Sequence, residues 1–85
     1  MSASKVLARE LAPFNIRSNC IAPGLTETNL MRKSTKSEFI DRTIENLMIK
    51  RIAKPIEIAN AIMFLASDLA SYVTGQTIRV DGGMN

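Results

Sequence analysis

Few residues of this chain could do chemistry. It has one tyrosine, one cysteine and no histidine, so Cys-His catalysis and a structural zinc site are excluded within it. Tyr72 sits in Ala70-Ser71-Tyr72-Val73-Thr74-Gly75-Gln76, a turn-like setting in which the ring packs and the hydroxyl finds a local partner. Cys20 lies in a β-favouring run and reads as a small buried hydrophobe rather than a nucleophile. The remaining string is Pro23-Gly24-Leu25-Thr26-Glu27-Thr28. Its glycine lets the backbone approach a flat ligand, while backbone groups at Thr26 and the Thr28 hydroxyl can hydrogen-bond the ligand's polar edge. The same string also fits a plain turn, with Thr28 as a helix cap.

Several elements must position that string. Ser2 to Ala12 is predicted as a helix, with Leu7 and Leu11 one turn apart and Pro13 ending it. Ile16 to Ala22 has little alternation and reads as a strand buried on both faces. Thr26 to Ser37 is loop-like. Phe39, Ile40, Thr43, Ile44, Leu47 and Met48 then recur at helical spacing, with Ser37 or Thr35 available as a cap. Pro55 opens another helix reaching Ser67 or Asp68, apolar nearly all round and therefore expected to be buried on two sides. Gly75 marks a turn, and Gln76 to Val80 alternates as a second strand before Asp81-Gly82-Gly83. Strand, helical connection and strand make a βαβ unit, so the strands should be parallel with a right-handed crossover. The fold class is α/β, with two parallel strands and about three helices.

Composition limits the remaining possibilities. At 85 residues, 46% hydrophobic and 22% charged, the chain suits a globular segment rather than a disordered one. Its length allows burial of only about 60 to 65% of the unfolded surface, so stability alone is marginal. The net charge of +3 comes from eleven basic and eight acidic residues. The densest basic stretch, Arg32, Lys33 and Lys36, lacks aromatic residues and is followed by Glu38 and Asp41, which suits a solvated face and not a nucleic-acid site. There is no leader pattern and no run of roughly 18 apolar residues, so no membrane association and a cytoplasmic setting are expected.

Three strings, taken together, resemble the short-chain dehydrogenase/reductase family. Asn15-Ile-Arg-Ser-Asn-Cys-Ile-Ala-Pro-Gly24 resembles the family's sixth strand, departing mainly at Ser18. Arg51-Ile-Ala-Lys-Pro-Ile-Glu-Ile-Ala59, with Phe64-Leu65 and Ser67 beyond, resembles a second family string, with Ala53 in place of a usual glycine and Ile56 in place of a glutamate. Ala53 would be strained if that position required positive φ. Ser71 to Gly83 resembles the last strand and the turn before it. The similarity is greatest to β-ketoacyl-acyl-carrier-protein reductases and covers Ser4 to Gly83.

The resemblance implies that residues 1–85 form a single partial domain, the C-terminal βαβ portion of a Rossmann-type doubly wound parallel sheet. The intact parent would be an NAD- or NADP-dependent oxidoreductase acting on a small carbonyl or alcohol. Pro23, Gly24, Thr26 and Thr28 would then be cofactor-binding residues on the nicotinamide loop, because ligands of open α/β sheets bind beyond the carboxyl ends of the strands. The resemblance also implies a homo-oligomer formed through the last strand and the 55–67 helix.

No catalytic residue is expected in the chain. The family's acid is a tyrosine in a Tyr-x-x-x-Lys motif; Met1-Ser2-Ala3-Ser4-Lys5 has methionine in the tyrosine's place. An ungapped register instead makes Ser4-Lys5 the pair that precedes Leu-Ala-x-Glu-Leu-Ala. The glycine-rich turn and the catalytic serine have no counterpart here, so the chain alone is expected to be inactive. Two other readings stand: a non-catalytic module that pairs with a full-length subunit, and, more remotely, a basic nucleic-acid-binding fragment, which predicts salt-dependent DNA binding.

Overall fold

The first helix begins where the Ser2 hydroxyl accepts the Lys5 N–H at 3.4 Å. In the computed structural model, which describes residues 2–84, this helix is α1 (Ala3–Leu11). A 3-10 turn at Ala12–Phe14 follows it, and Asn15 adopts the left-handed conformation at φ 60°. The Asn15 and Ile16 amides donate back to the carbonyls of Ala12 and Leu11. Asparagine tolerates this conformation better than most residues, so it closes the helix and redirects the chain.

The first strand, β1 (Cys20–Pro23), is shorter than the Ile16 to Ala22 expected. Residues 17–19 are drawn instead into bonds with the turn before the second strand: the Ser18 N–H donates to the Thr74 hydroxyl, and the Ser18 carbonyl accepts from Gly75. The second strand, β2 (Thr77–Val80), runs parallel to β1, with Cys20 opposite Thr77 and Pro23 opposite Val80. The crossover holds α2 (Asn29–Ser34), α3 (Ser37–Glu45) and α4 (Pro55–Ala66). A second 3-10 turn, Asp68–Ala70, leads towards β2.

Among the described residues four α-helices therefore stand where about three are expected. The additional one is α2, in the segment that reads as a loop; the Thr28 hydroxyl accepts the Met31 N–H at 3.0 Å and good helix formers follow. Neither Ser37 nor Thr35 caps α3, whose N-cap position is Lys36. Leu47 and Met48 lie beyond α3 and turn towards the C-terminal tail, where Leu47 makes an antiparallel bridge with Met84.

Burial is sparse. Ala8, Ile40, Leu47 and Ala70 are the buried apolar residues, with Ser4 beside them, and no large side chain among the described residues is fully buried. The radius of gyration is 15.4 Å, against about 12 Å for a compact chain of this length. The accessible surface is 6453 Å², against about 5,000 Å² for a compact monomer of this mass.

Three expectations of burial fail for the same reason. Helix α4 has no buried residue, and Ile62, Met63 and Phe64 are about half exposed or more. Cys20 is exposed, and the Tyr72 ring is fully exposed. Each of these side chains is suited to packing, but among the described residues no second layer covers it. No described helix is long and apolar enough to cross a membrane.

Candidate functional site

The parallel pair delivers Pro23 and Asp81 to the same end of the sheet. Pairing continues one step past β1, with the Gly24 N–H donating to the Val80 carbonyl at 3.0 Å. Gly24 is then pressed against the residue that follows β2. A Cβ on Gly24 would stand 2.8 Å from the Asp81 Cα and 2.9 Å from its Cβ, so no side chain fits without displacing backbone.

The rest of the loop is tied down from the other side. Thr26 forms a parallel bridge with Ala53, whose carbonyl accepts the Glu27 N–H at 2.8 Å and whose N–H donates to the Leu25 carbonyl at 3.1 Å. Asn15 is the one non-glycine residue with positive φ among those described. Ala53 therefore carries no left-handed strain, and alanine serves where the family usually has glycine. Outside the loop, Arg32 donates to both Glu27 carboxylate oxygens at 2.9 and 3.1 Å. That bond holds the Glu27 carboxyl below its ordinary pKa.

Of the four sequence-predicted residues, two share a cavity. Pro23 and Gly24 line a groove of about 590 Å³ that is also lined by Phe39 and Thr43 of α3 and by Asn46, which caps that helix. Thr26 and Thr28 are absent from its lining. Their hydroxyls are engaged in opposite ways: Thr26 donates to the Gly24 carbonyl at 3.0 Å, and Thr28 accepts the Met31 N–H. Thr28 is thus a helix cap, and as an acceptor there its hydroxyl keeps its own proton.

Sequence reasoning missed Arg79 and Asp81, which also border the groove. The Asp81 carboxylate accepts the Gly83 and Met84 amides at 3.0 and 3.3 Å, and Arg79 pairs with its other oxygen at 3.0 Å. Burial works to raise this carboxyl's pKa, but the two amides and the guanidinium outweigh it and hold it below the ordinary value. An Asp followed by two glycines is a signal that could have found it, since Asp readily bonds amides two residues on. Nothing local signals the approach of α3, which depends on contacts distant in sequence.

Lys5 and Tyr72 belong to the opposite end of the sheet. Lys5 lies beside Gly75 before β2, where a Gly75 Cβ would stand 3.9 Å from the Lys5 Cα. Gly75 and Asp81 are six residues apart, about 20 Å of extended chain. Tyr72 precedes Gly75 in the same turn region. No cluster of His, Cys, Asp or Glu suited to a metal occurs among the described residues.

Comparison with known proteins agrees with this geometry. A family model described as enoyl-(acyl carrier protein) reductase matches residues 1–85. A 3-oxoacyl-[acyl-carrier-protein] reductase of Chlamydia trachomatis is 47% identical over 81 residues, which is 95% of this chain and 32% of that protein. Among solved structures, a Brucella melitensis short-chain dehydrogenase/reductase superposes with a TM-score of 0.86 at 44% identity, covering 96% of this chain and 33% of that one. A 3-oxoacyl-[acyl-carrier protein] reductase of Brucella melitensis with bound NAD superposes with a TM-score of 0.81 at 36% identity, covering 95% and 28% respectively. The chain thus spans about a third of the length of the relatives it matches. With the parallel pair, the Pro-Gly loop at its carboxyl end and a match along its whole length, this chain belongs to the short-chain dehydrogenase/reductase family.

Proposed function

We propose that this chain supplies the nicotinamide-side wall of an NAD- or NADP-dependent oxidoreductase that interconverts a carbonyl and an alcohol, in the manner of a 3-oxoacyl-acyl-carrier-protein reductase. The observation that carries this reading is the loop at the carboxyl end of β1. Gly24 has no room for a side chain because Asp81 fills that space, and with Pro23 it borders the groove beyond the carboxyl end of β1, where ligands of open α/β sheets bind. Thr26 has committed its proton and can only accept, as from a carboxamide N–H. Thr28 has committed a lone pair and can donate its proton, as to a phosphate oxygen.

The bound dinucleotide would supply the hydride, and the residues of this chain orient it. We assign no proton transfer to them, because general acid catalysis needs a donor within hydrogen-bond reach of the substrate oxygen and Tyr72 and Lys5 stand at the far end of the sheet. The proposed setting is cytoplasmic, and the proposed homo-oligomer forms through β2 and the 55–67 helix. Saturation-transfer NMR with NADH tests the reading. The nicotinamide protons should receive saturation from the chain, a Gly24→Val variant should abolish it, and a 3-oxoacyl thioester should cause no NADH oxidation. Contact through the adenine alone, or none, overturns the cofactor assignment; turnover overturns the assignment of no catalysis.

The exposed apolar residues Ile62, Met63 and Phe64 on α4 favour a second reading, a non-catalytic module docked on a full-length subunit. Co-purification with such a subunit, together with no transfer from NADH, selects it.

A further inference from the structure

Asp81 packs on one wall of the groove and braces the turn that leads to the other. On one side its backbone and Cβ fill the space denied to a side chain at Gly24. On the other side its carboxylate fixes the Gly83 and Met84 amides. This shapes a turn in which Gly82 and Gly83 take φ of 67° and 79°, left-handed conformations that favour glycine. The turn then grips the segment leaving α3. Ile49 donates to the Gly82 carbonyl at 2.8 Å, Met48 donates to the Gly83 carbonyl at 3.2 Å, and Leu47, 5% exposed, pairs with Met84. Contact at Gly83 is so close that a Cβ there would lie 2.7 Å from the Met48 sulfur.

We propose that Asp81 is a positioning residue that couples the Pro23–Thr28 loop to α3, so that the two walls of the groove keep a fixed separation. The coupling runs from Gly24 to Asp81 by direct packing, from Asp81 to Gly83 and Met84 by its carboxylate, and from that turn to Met48 and Ile49. Phe39, Thr43 and Asn46 follow, because they belong to the helix that ends just before this grip and to its C-terminal cap. The inference rests on the proposed cofactor role of the loop for its meaning, but the coupling itself is a property of the chain without ligand. A residue that merely completes its own turn would stabilise Gly83 and Met84 and transmit nothing from Gly24.

Amide hydrogen exchange on the full chain, without cofactor, tests the coupling. Asp81→Ala should raise exchange at Met48 and Ile49 by about tenfold or more, while the Cys20 and Gly75 amides at the opposite end of the sheet change far less. Asp81→Asn keeps an acceptor oxygen and should restore protection at Met48 and Ile49 to within a few-fold of the unmodified chain. Gly24→Ala, which touches neither amide, should raise exchange at both by pushing on Asp81. Unchanged Met48 and Ile49 in Gly24→Ala overturns the coupling. So does a rise shared equally by Cys20 and Gly75 in Asp81→Ala, or failure of Asp81→Asn to restore protection. A parallel NADH titration of the unmodified chain bears only on the loop's cofactor role, so the two proposals fail separately.

Discussion

The two ends of the β1–β2 pair are closed by different means. At the amino end, side chains do the work: the Arg17 guanidinium donates to the carbonyls of Leu65, Ser67 and Val73 at 2.7, 3.1 and 3.4 Å. Asn19 donates to the Val73 carbonyl and accepts the Gln76 N–H. At the carboxyl end, Gly24 packs directly on the Asp81 Cα and Cβ, its N–H donates to the Val80 carbonyl, and the hydroxyls nearby keep bonding capacity in reserve. A single ten-residue string, Asn15 to Gly24, thus spends its polar side chains on scaffold at one end and carries none at the other, where the proposed cofactor would lie.

That contrast can be broken at either end. The largest expected effect is Arg17→Met, which leaves three carbonyls without their charged donor and should cost about 2 to 3 kcal/mol of stability, read as a lowered urea midpoint by circular dichroism. An unchanged midpoint would remove Arg17 from the scaffold. Next, Gly24→Val forces a branched side chain into the Asp81 backbone and should cost about 2 kcal/mol, measured in the same way. Unlike Arg17→Met, it should also abolish saturation transfer to NADH at protein concentrations where the fold persists. Thr28→Val removes the cap of α2, about 1 kcal/mol of local helix stability. It should weaken NADH binding severalfold, read by titration, while Thr26→Val should weaken it without fraying α2.

The smallest effect is on pH dependence, away from both ends. Arg51 donates to both Glu57 oxygens at 2.6 and 2.7 Å. That bond first, and the Lys54 N–H second, bring the Glu57 carboxyl from an ordinary 4.5 to about 2. A carboxyl depressed on folding contributes stability that is complete above pH 4.5 and is lost as pH falls from 4.5 to 2. The contribution is small because both partners are substantially exposed. Urea midpoints at pH 5 and pH 2.5 should therefore differ slightly more for the unmodified chain than for Glu57→Gln.

Much of the fold is legible in the sequence because its punctuation is strong. Pro13, Pro55 and Gly75 mark element boundaries that the structure places within a few residues, and β-branched runs mark both strands. What is less legible has two physical causes. Helix α2 is six residues long, too short for an apolar period to show, so its only signal is the cap at Thr28. Burial of Cys20, Tyr72 and α4 fails as an expectation because side-chain type records what a residue is fit to pack against, not whether that partner lies in the same stretch of chain. The candidate site divides likewise. Pro23, Gly24, Thr26 and Thr28 stand in one contiguous string, whereas Asp81 and α3 reach the groove only through parallel pairing and the tail's grip on Leu47 to Ile49.

The register of that pairing also sets the order of folding. Each residue of β1 meets a partner 57 positions later, as Cys20 meets Thr77. The loop-closure entropy of the whole crossover must be overcome before the ladder returns any stabilisation. Helices α1, α3 and α4 draw on contacts a few residues apart and form on a faster timescale. The groove at the carboxyl end exists only once the ladder is in register, so it is expected to form no earlier than the β1–β2 pairing.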